Sequence, residues 1–162
     1  MAKLAEQPSD DLSLRIERVY KATPERIFAA LTDPAIIVKW WGPEGYASDW
    51  ADIDLRPGGA WRVQMRSLET DYEGVMEGSF LEIAPPHRLT FRTVKHCNAA
   101  PHIFDADAMA PTEVTIELQD LGDGQTRLVL TQTGFTEEIA CEMHDMGWTQ
   151  ALGKLAGNIA TS

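Results

Sequence analysis

The segment Ala60-Trp61-Arg62-Val63-Gln64-Met65-Arg66-Ser67 alternates residue by residue, with Trp61, Val63 and Met65 on one parity and Arg62, Gln64 and Arg66 on the other. A period of two is the mark of a strand with one face against a core and the other toward water. The same pattern recurs at Val114, Ile116 and Leu118, and again at Leu128 and Leu130. Around these anchors the chain predicts strands over 46–55, 60–67, 72–83, 88–95, 113–119 and 126–132. The separators suit tight connections: Pro57-Gly58-Gly59, Glu69-Thr70-Asp71, Pro85-Pro86 and Gly122-Asp123-Gly124. The middle of the chain therefore reads as an antiparallel sheet with one apolar face.

Outward from this sheet the pattern changes. A first strand is expected over 12–20, where Leu12, Leu14 and Ile16 alternate with Ser13, Arg15 and Glu17. Thr23-Pro24 and Asp33-Pro34 then each put a capping side chain before a proline at the first helical position, predicting short helices over 24–31 and 34–40. Gly42-Pro43 ends the second. At the other end, Trp148, Leu152, Leu155 and Ile159 follow one another at spacings of four, three and four, one apolar stripe of a helix over 137–159. At ~1.5 Å per residue such a helix is on the order of 35 Å long, enough to cross the sheet. The order is that of an α+β layer protein: strand, two short helices, a run of strands, closing helix. The connection over 96–112 has no clear period and reads as either a lid or a loose hairpin tip.

Composition narrows the functional classes. At 162 residues, 44% of them apolar, the chain fits one domain over 12–162 behind a leader of residues 1–11. No apolar run is long enough for a membrane span, and no signal-peptide pattern opens the chain. Asp and Glu number 25 against 14 Lys and Arg, for a net charge of −11, which argues against a nucleic-acid partner. Two cysteines, Cys97 and Cys141, are too few for a disulfide framework and point to a reducing compartment, the cytoplasm. There is no Walker loop, dinucleotide fingerprint or Gly-x-Ser-x-Gly elbow, and no cofactor is expected.

An ordered set of segments resembles a known family. They are Thr32-Asp33-Pro34 with Trp40-Trp41-Gly42-Pro43; Asp54-Leu55-Arg56-Pro57-Gly58-Gly59 with Trp61-Arg62; and Gly78, Glu82-Ile83 and Pro85-Pro86 with Arg88-Leu89. Gly134-Phe135 follows, then His144 with Gly147-Trp148, Leu152 and Leu155. Together these resemble the AHSA1-type (activator of Hsp90 ATPase homologue 1-like) branch of the SRPBCC, START-like or Bet v 1-like superfamily. The resemblance implies the helix-grip fold, a curved antiparallel sheet of six to seven strands wrapped around the C-terminal helix with a cavity between. It also implies an apolar small-molecule ligand, such as a lipid, sterol or polyketide, or cyclase- and dehydratase-type catalysis in that cavity. A homodimer is compatible with such a sheet. The Hsp90 activator carries a separate N-terminal domain, whereas only residues 1–11 precede the first strand here, so an Hsp90-type chaperone is not expected as partner.

Several side chains are candidates for the site. Trp61, Val63, Met65 and Phe91 on the sheet, and His144, Trp148 and Leu152 on the closing helix, could line a pocket for a flat apolar ligand. The plainer reading is that each fills a solid core. His144 stands four residues before Trp148, so both share a helix face and the imidazole could serve as general base or hydrogen-bond donor, or sit idle at the rim. Cys141 and His144, with His96, Cys97 and His102, are present in types that bind zinc, but no standard spacing supports a metal site. Arg18 shares the parity of Leu14 and Ile16 and is expected to escape to solvent or a nearby carboxylate at the strand end. Asp54 and Arg56 read as an exposed ion pair. Three functions follow from these readings: binding of an apolar or aromatic small molecule, which we favour; an enzyme in the same cavity; or a protein-interaction module.

Overall fold

The computed structural model describes residues 12–99 and 101–159; the expected leader lies outside the described residues. The fold is α+β and of helix-grip type. Strand β1 (Leu14–Tyr20) leads into α1 (Pro24–Thr32) and α2 (Pro34–Trp40). Then come β2 (Tyr46–Ala47), β3 (Ala51–Ile53), β4 (Ala60–Ser67), β5 (Glu73–Ala84), β6 (Arg88–Lys95), β7 (Thr112–Gly122), β8 (Gln125–Thr133) and the long helix α3 (Glu138–Ile159). All pairs are antiparallel in the order β1-β8-β7-β6-β5-β4-β2, with β3 also paired to β4. The two short helices begin as the sequence predicts. Thr23 Oγ1 accepts from the Arg26 amide at 3.3 Å, and Asp33 Oδ1 accepts from the Ala35 amide at 2.9 Å.

The sheet has eight strands rather than six or seven, because the stretch expected as one strand over 46–55 breaks into β2 and β3. Gln64 is the physical reason. Its carboxamide enters the gap between β2 and β3, where Oε1 accepts from the Asp49 amide at 2.7 Å and Nε2 donates to Asp49 Oδ2 at 3.2 Å and Glu73 Oε2 at 3.0 Å. The side chain replaces a ladder bond at the break. It is only 1% exposed, although its parity places it with the solvent-facing Arg62 and Arg66.

The curl comes from β5. Its register to β6 shifts between Glu77 and Gly78 and again between Phe80 and Glu82, and such bulges bend a strand and strengthen its twist. A Cβ on Gly78 would lie 1.7 Å from the Arg92 carbonyl oxygen, so only glycine permits this approach. Trp61 pairs with Gly78 and donates its indole N–H to the same carbonyl at 3.2 Å. The concave face so formed receives α3, whose Leu152, Leu155 and Ile159 share one buried cluster with Leu128, Leu130, Val114 and Ile116. Side chains of the opposite layer hold the helix by its carbonyls. Tyr20 Oη donates to Leu152 O at 2.9 Å, and Arg18 Nη1 to Thr149 O at 3.2 Å. Arg18 thus ends on a helix carbonyl rather than a carboxylate, at a point where α3 carries Gly153. Asp54 and Arg56 form the expected exposed pair, 2.9 Å apart.

Candidate functional site: a cavity between sheet and helix

Between the open end of the sheet and the first half of α3 lies a cavity of about 330 Å³. Its floor is sheet: Met65 from β4, Met76 from β5, and Phe91 and Thr93 from β6. Its roof is helix: Met143, His144, Met146, Gly147 and Trp148. Trp41 and the turn through Glu44 and Tyr46 close one side, and Cys97, Ala99 and Phe104 of the 96–112 connection close another. That connection therefore stands over the cavity. A 3-10 turn at Ala106–Ala108 shapes it, with Asp105 capping the turn and Asn98 Oδ1 accepting from the Ala106 amide at 3.1 Å.

Of the seven residues singled out in the sequence, Met65, Phe91, His144 and Trp148 border this cavity. Trp61, Val63 and Leu152 do not; they belong to the solid core. Trp61 forms a layer behind the wall, its ring centroid 5.4 Å from that of Phe91 and 6.0 Å from that of Trp41. Trp41 in turn meets Trp148 edge-on at 5.7 Å. Val63 and Leu152 are both fully buried within the core cluster. Parity fixes which face a residue occupies, but not whether the opposite layer touches it.

Sequence reasoning missed Trp41, Phe104, Gln132 and three of the methionines. Gln132 was within reach, since it continues the parity of Leu128 and Leu130. Phe104 was not, because nothing periodic surrounds it. Gln132 is buried and central to a chain of polar groups behind the roof. The Trp148 indole N–H donates to Gln132 Oε1 at 2.9 Å, and Gln132 Nε2 donates to Thr112 Oγ1 at 2.9 Å. The Thr112 hydroxyl shares a hydrogen bond of 3.0 Å with His96 Nε2. Each member is thereby partnered except His96 Nδ1, which is buried without a partner.

The two histidines stack edge to face at 5.6 Å. Burial, assisted by the neighbouring His144, pushes His96 down to about 4. Burial also lowers His144, against a partial opposing effect of its bond to Ala140. Both rings are neutral at pH 7. His144 Nδ1 lies 2.8 Å from the Ala140 carbonyl oxygen. An oxygen of that kind only accepts, so Nδ1 carries the hydrogen and Nε2 the lone pair. Phe104 and Phe135 flank the ring at 5.9 and 5.2 Å.

Other reactive types are quiet. Burial raises the Cys97 thiol to about 11, despite the Tyr72 hydroxyl beside it, so it is no thiolate nucleophile near neutrality. Cys141 is off the cavity wall and His102 is exposed. Among the described residues no group of three or more His, Cys, Asp or Glu side chains comes together to hold a metal. Nor is any described helix long and apolar enough to cross a membrane.

The rim turn is fastened to the helix. Gly42 has φ of +89°, and a Cβ there would press on Met65 Sδ at 3.1 Å, so the chain turns tightly over the sheet at this point. Gln150 Oε1 accepts from the Glu44 amide at 3.0 Å. One turn later, Lys154 Nζ donates to the carbonyls of Trp41, Pro43 and Tyr46 at 3.3–3.4 Å. Burial lowers the lysine, and Glu44 partly offsets it.

A curled sheet gripping a long helix over a mostly apolar cavity defines a helix-grip protein. The family model "Activator of Hsp90 ATPase homolog 1-like protein" matches residues 21–160, and the chain belongs to that family. Solved structures agree. A protein from Chromobacterium violaceum is 28% identical with a TM-score of 0.78, over 92% of this chain and 97% of that one. The AHSA1 protein from Silicibacter pomeroyi is 28% identical with a TM-score of 0.76, over 92% and 98%. A protein from Arthrobacter aurescens, 22% identical over 95% and 89% with a TM-score of 0.79, shares the fold. No curated protein matches the chain.

Proposed function

We propose that the protein binds a small apolar or aromatic molecule in the cavity between sheet and α3. The supporting observation is the cavity itself: about 330 Å³, walled by Trp41, Met65, Phe91, Phe104 and Trp148. Ligand sites are concave and mostly apolar, with few polar groups, and occupy roughly 300–1,000 Å³. This cavity sits at the small end, which suits two or three fused rings better than a long-chain lipid. Flexible thioethers and large rings adapt to flat, polarisable surfaces. Four of the six methionines in the chain stand on this wall.

Native mass spectrometry of freshly purified protein, followed by denaturing extraction, tests the proposal. A co-purifying apolar molecule is the expected result, as is thermal stabilisation by members of an aromatic panel. Trp148→Ala opens the roof and is expected to weaken such binding at least tenfold. Empty protein that no member of the panel stabilises would reject carriage and turn attention to a protein partner.

A further inference from the structure

Resting on that reading of the cavity, we infer that the occupant is a neutral aromatic molecule bearing a hydroxyl, bound with that hydroxyl donating to Nε2 of His144. Three observations combine. First, the tautomer of His144 is fixed by geometry. Nδ1 turns back along the helix and is committed to the Ala140 carbonyl at 2.8 Å, so Nε2 is directed away from the helix backbone, with its lone pair free. The ring borders the cavity, and no hydrogen bond reaches Nε2 from any described residue. An acceptor left open on the wall of a mostly apolar cavity gains a partner when a ligand donor meets it there.

Second, the other polar side chains of the roof are already engaged. The Trp148 N–H and the Gln132 carboxamide satisfy each other and Thr112. Gln150 Oε1 is held by the rim amide of Glu44. Among the roof side chains an incoming hydroxyl thus meets the His144 Nε2 lone pair as the open acceptor, with the Thr93 side chain on the floor and the Glu44 carboxylate exposed at the outer edge.

Third, the described cavity wall contains no Lys or Arg. Lys154, at the rim, directs its ammonium to three carbonyls of the rim turn, and Lys95, in the neighbourhood of Cys97, pairs with Glu77 at 4.0 Å. A carboxylate or phosphate would enter an apolar space with no counter-charge, beside exposed Glu44 and within a chain of net charge −11. Fatty acids and anionic lipid headgroups are disfavoured on that ground, while phenols fit both the open acceptor and the aromatic wall.

The test uses three probes of one skeleton: 2-naphthol, its methyl ether 2-methoxynaphthalene, and 2-naphthoate, titrated into the intact protein by calorimetry. Naphthol is expected to bind roughly tenfold tighter than the ether, in line with one hydrogen bond to a buried acceptor, and naphthoate weakest. In His144→Phe the naphthol-to-ether ratio should fall to about one; a preference caused by ligand size alone would survive the substitution. Equal binding of naphthol and ether by the wild type would overturn the inference and leave the cavity proposal standing. Naphthoate binding tightest would overturn the neutral-ligand assignment. Binding of none of the three by the folded wild type would overturn the cavity reading and the inference with it. Because the first comparison is made on wild-type protein, it does not depend on the variant folding.

Discussion

At Gly78 the backbone of β5 presses on β6 so closely that a methyl group would overlap the Arg92 carbonyl. Gly78→Ala must push the two strands apart and release Trp61 from its bond to that carbonyl. The expected cost is about 3 kcal/mol or more, read as a lowered urea midpoint. A midpoint equal to wild type would mean that the curl does not depend on this contact. His96 supports a second residue-scale prediction. Its folded value of about 4 lies below the ordinary 6.5, so between these pH values the unfolded chain binds the extra proton. Its contribution is present in full above pH 6.5 and is lost as pH falls toward 4, worth on the order of 2–3 kcal/mol. Urea midpoints measured across that window should decline in the wild type and decline less in His96→Leu. Matching slopes in the two proteins would contradict this. In the sequence Gly78 stands out only within the family resemblance and His96 only as a metal-binding type, and neither reading foretells its packing. A close backbone approach and a buried nitrogen are products of packing, which local pattern does not encode.

The elements themselves were far more legible. β4, β6 and α2 start and end at the expected residues, and the other long elements differ by one to three positions. Alternation and caps are local signals, so a chain can be read for them directly. The break between β2 and β3 was hidden because its cause, the inserted Gln64 side chain, lies in a different strand. The same limit hid half of the cavity: Met76 reaches the wall from a strand of shifted register, and Phe104 from an aperiodic connection. The rim turn provides the test at this scale. Gln150 and Lys154, one helical turn apart on α3, fasten the stretch from Trp41 to Tyr46. Lys154→Met removes all three donors while keeping most of the apolar stem. We expect a loss of about 1–2 kcal/mol, and amide exchange at Glu44 and Tyr46 faster by roughly tenfold, with β7 and β8 unaffected. Uniformly faster exchange throughout the chain would instead make the lysine a support of the whole fold.

Across the whole molecule, one continuous apolar cluster joins α1, α2, the sheet and α3. Such a core predicts all-or-none unfolding. Tryptophan emission, which reports on the cluster of Trp40, Trp41, Trp61 and Trp148, should therefore track far-UV circular dichroism through a single transition. Leu155→Ala, at a fully buried site of α3, should move both curves together by about 2–5 kcal/mol. Separate transitions would show that the helix docks onto a sheet able to stand without it. The thioether-rich wall has a consequence for the chemistry of the protein in an oxidising setting. Met146 is 47% exposed at the cavity edge, and Met143, Met65 and Met76 lie further in. Peroxide converts such side chains to sulfoxides, polar and chiral, so oxidative damage entering from the edge would turn a greasy chamber into a wettable one while the core beneath stayed intact.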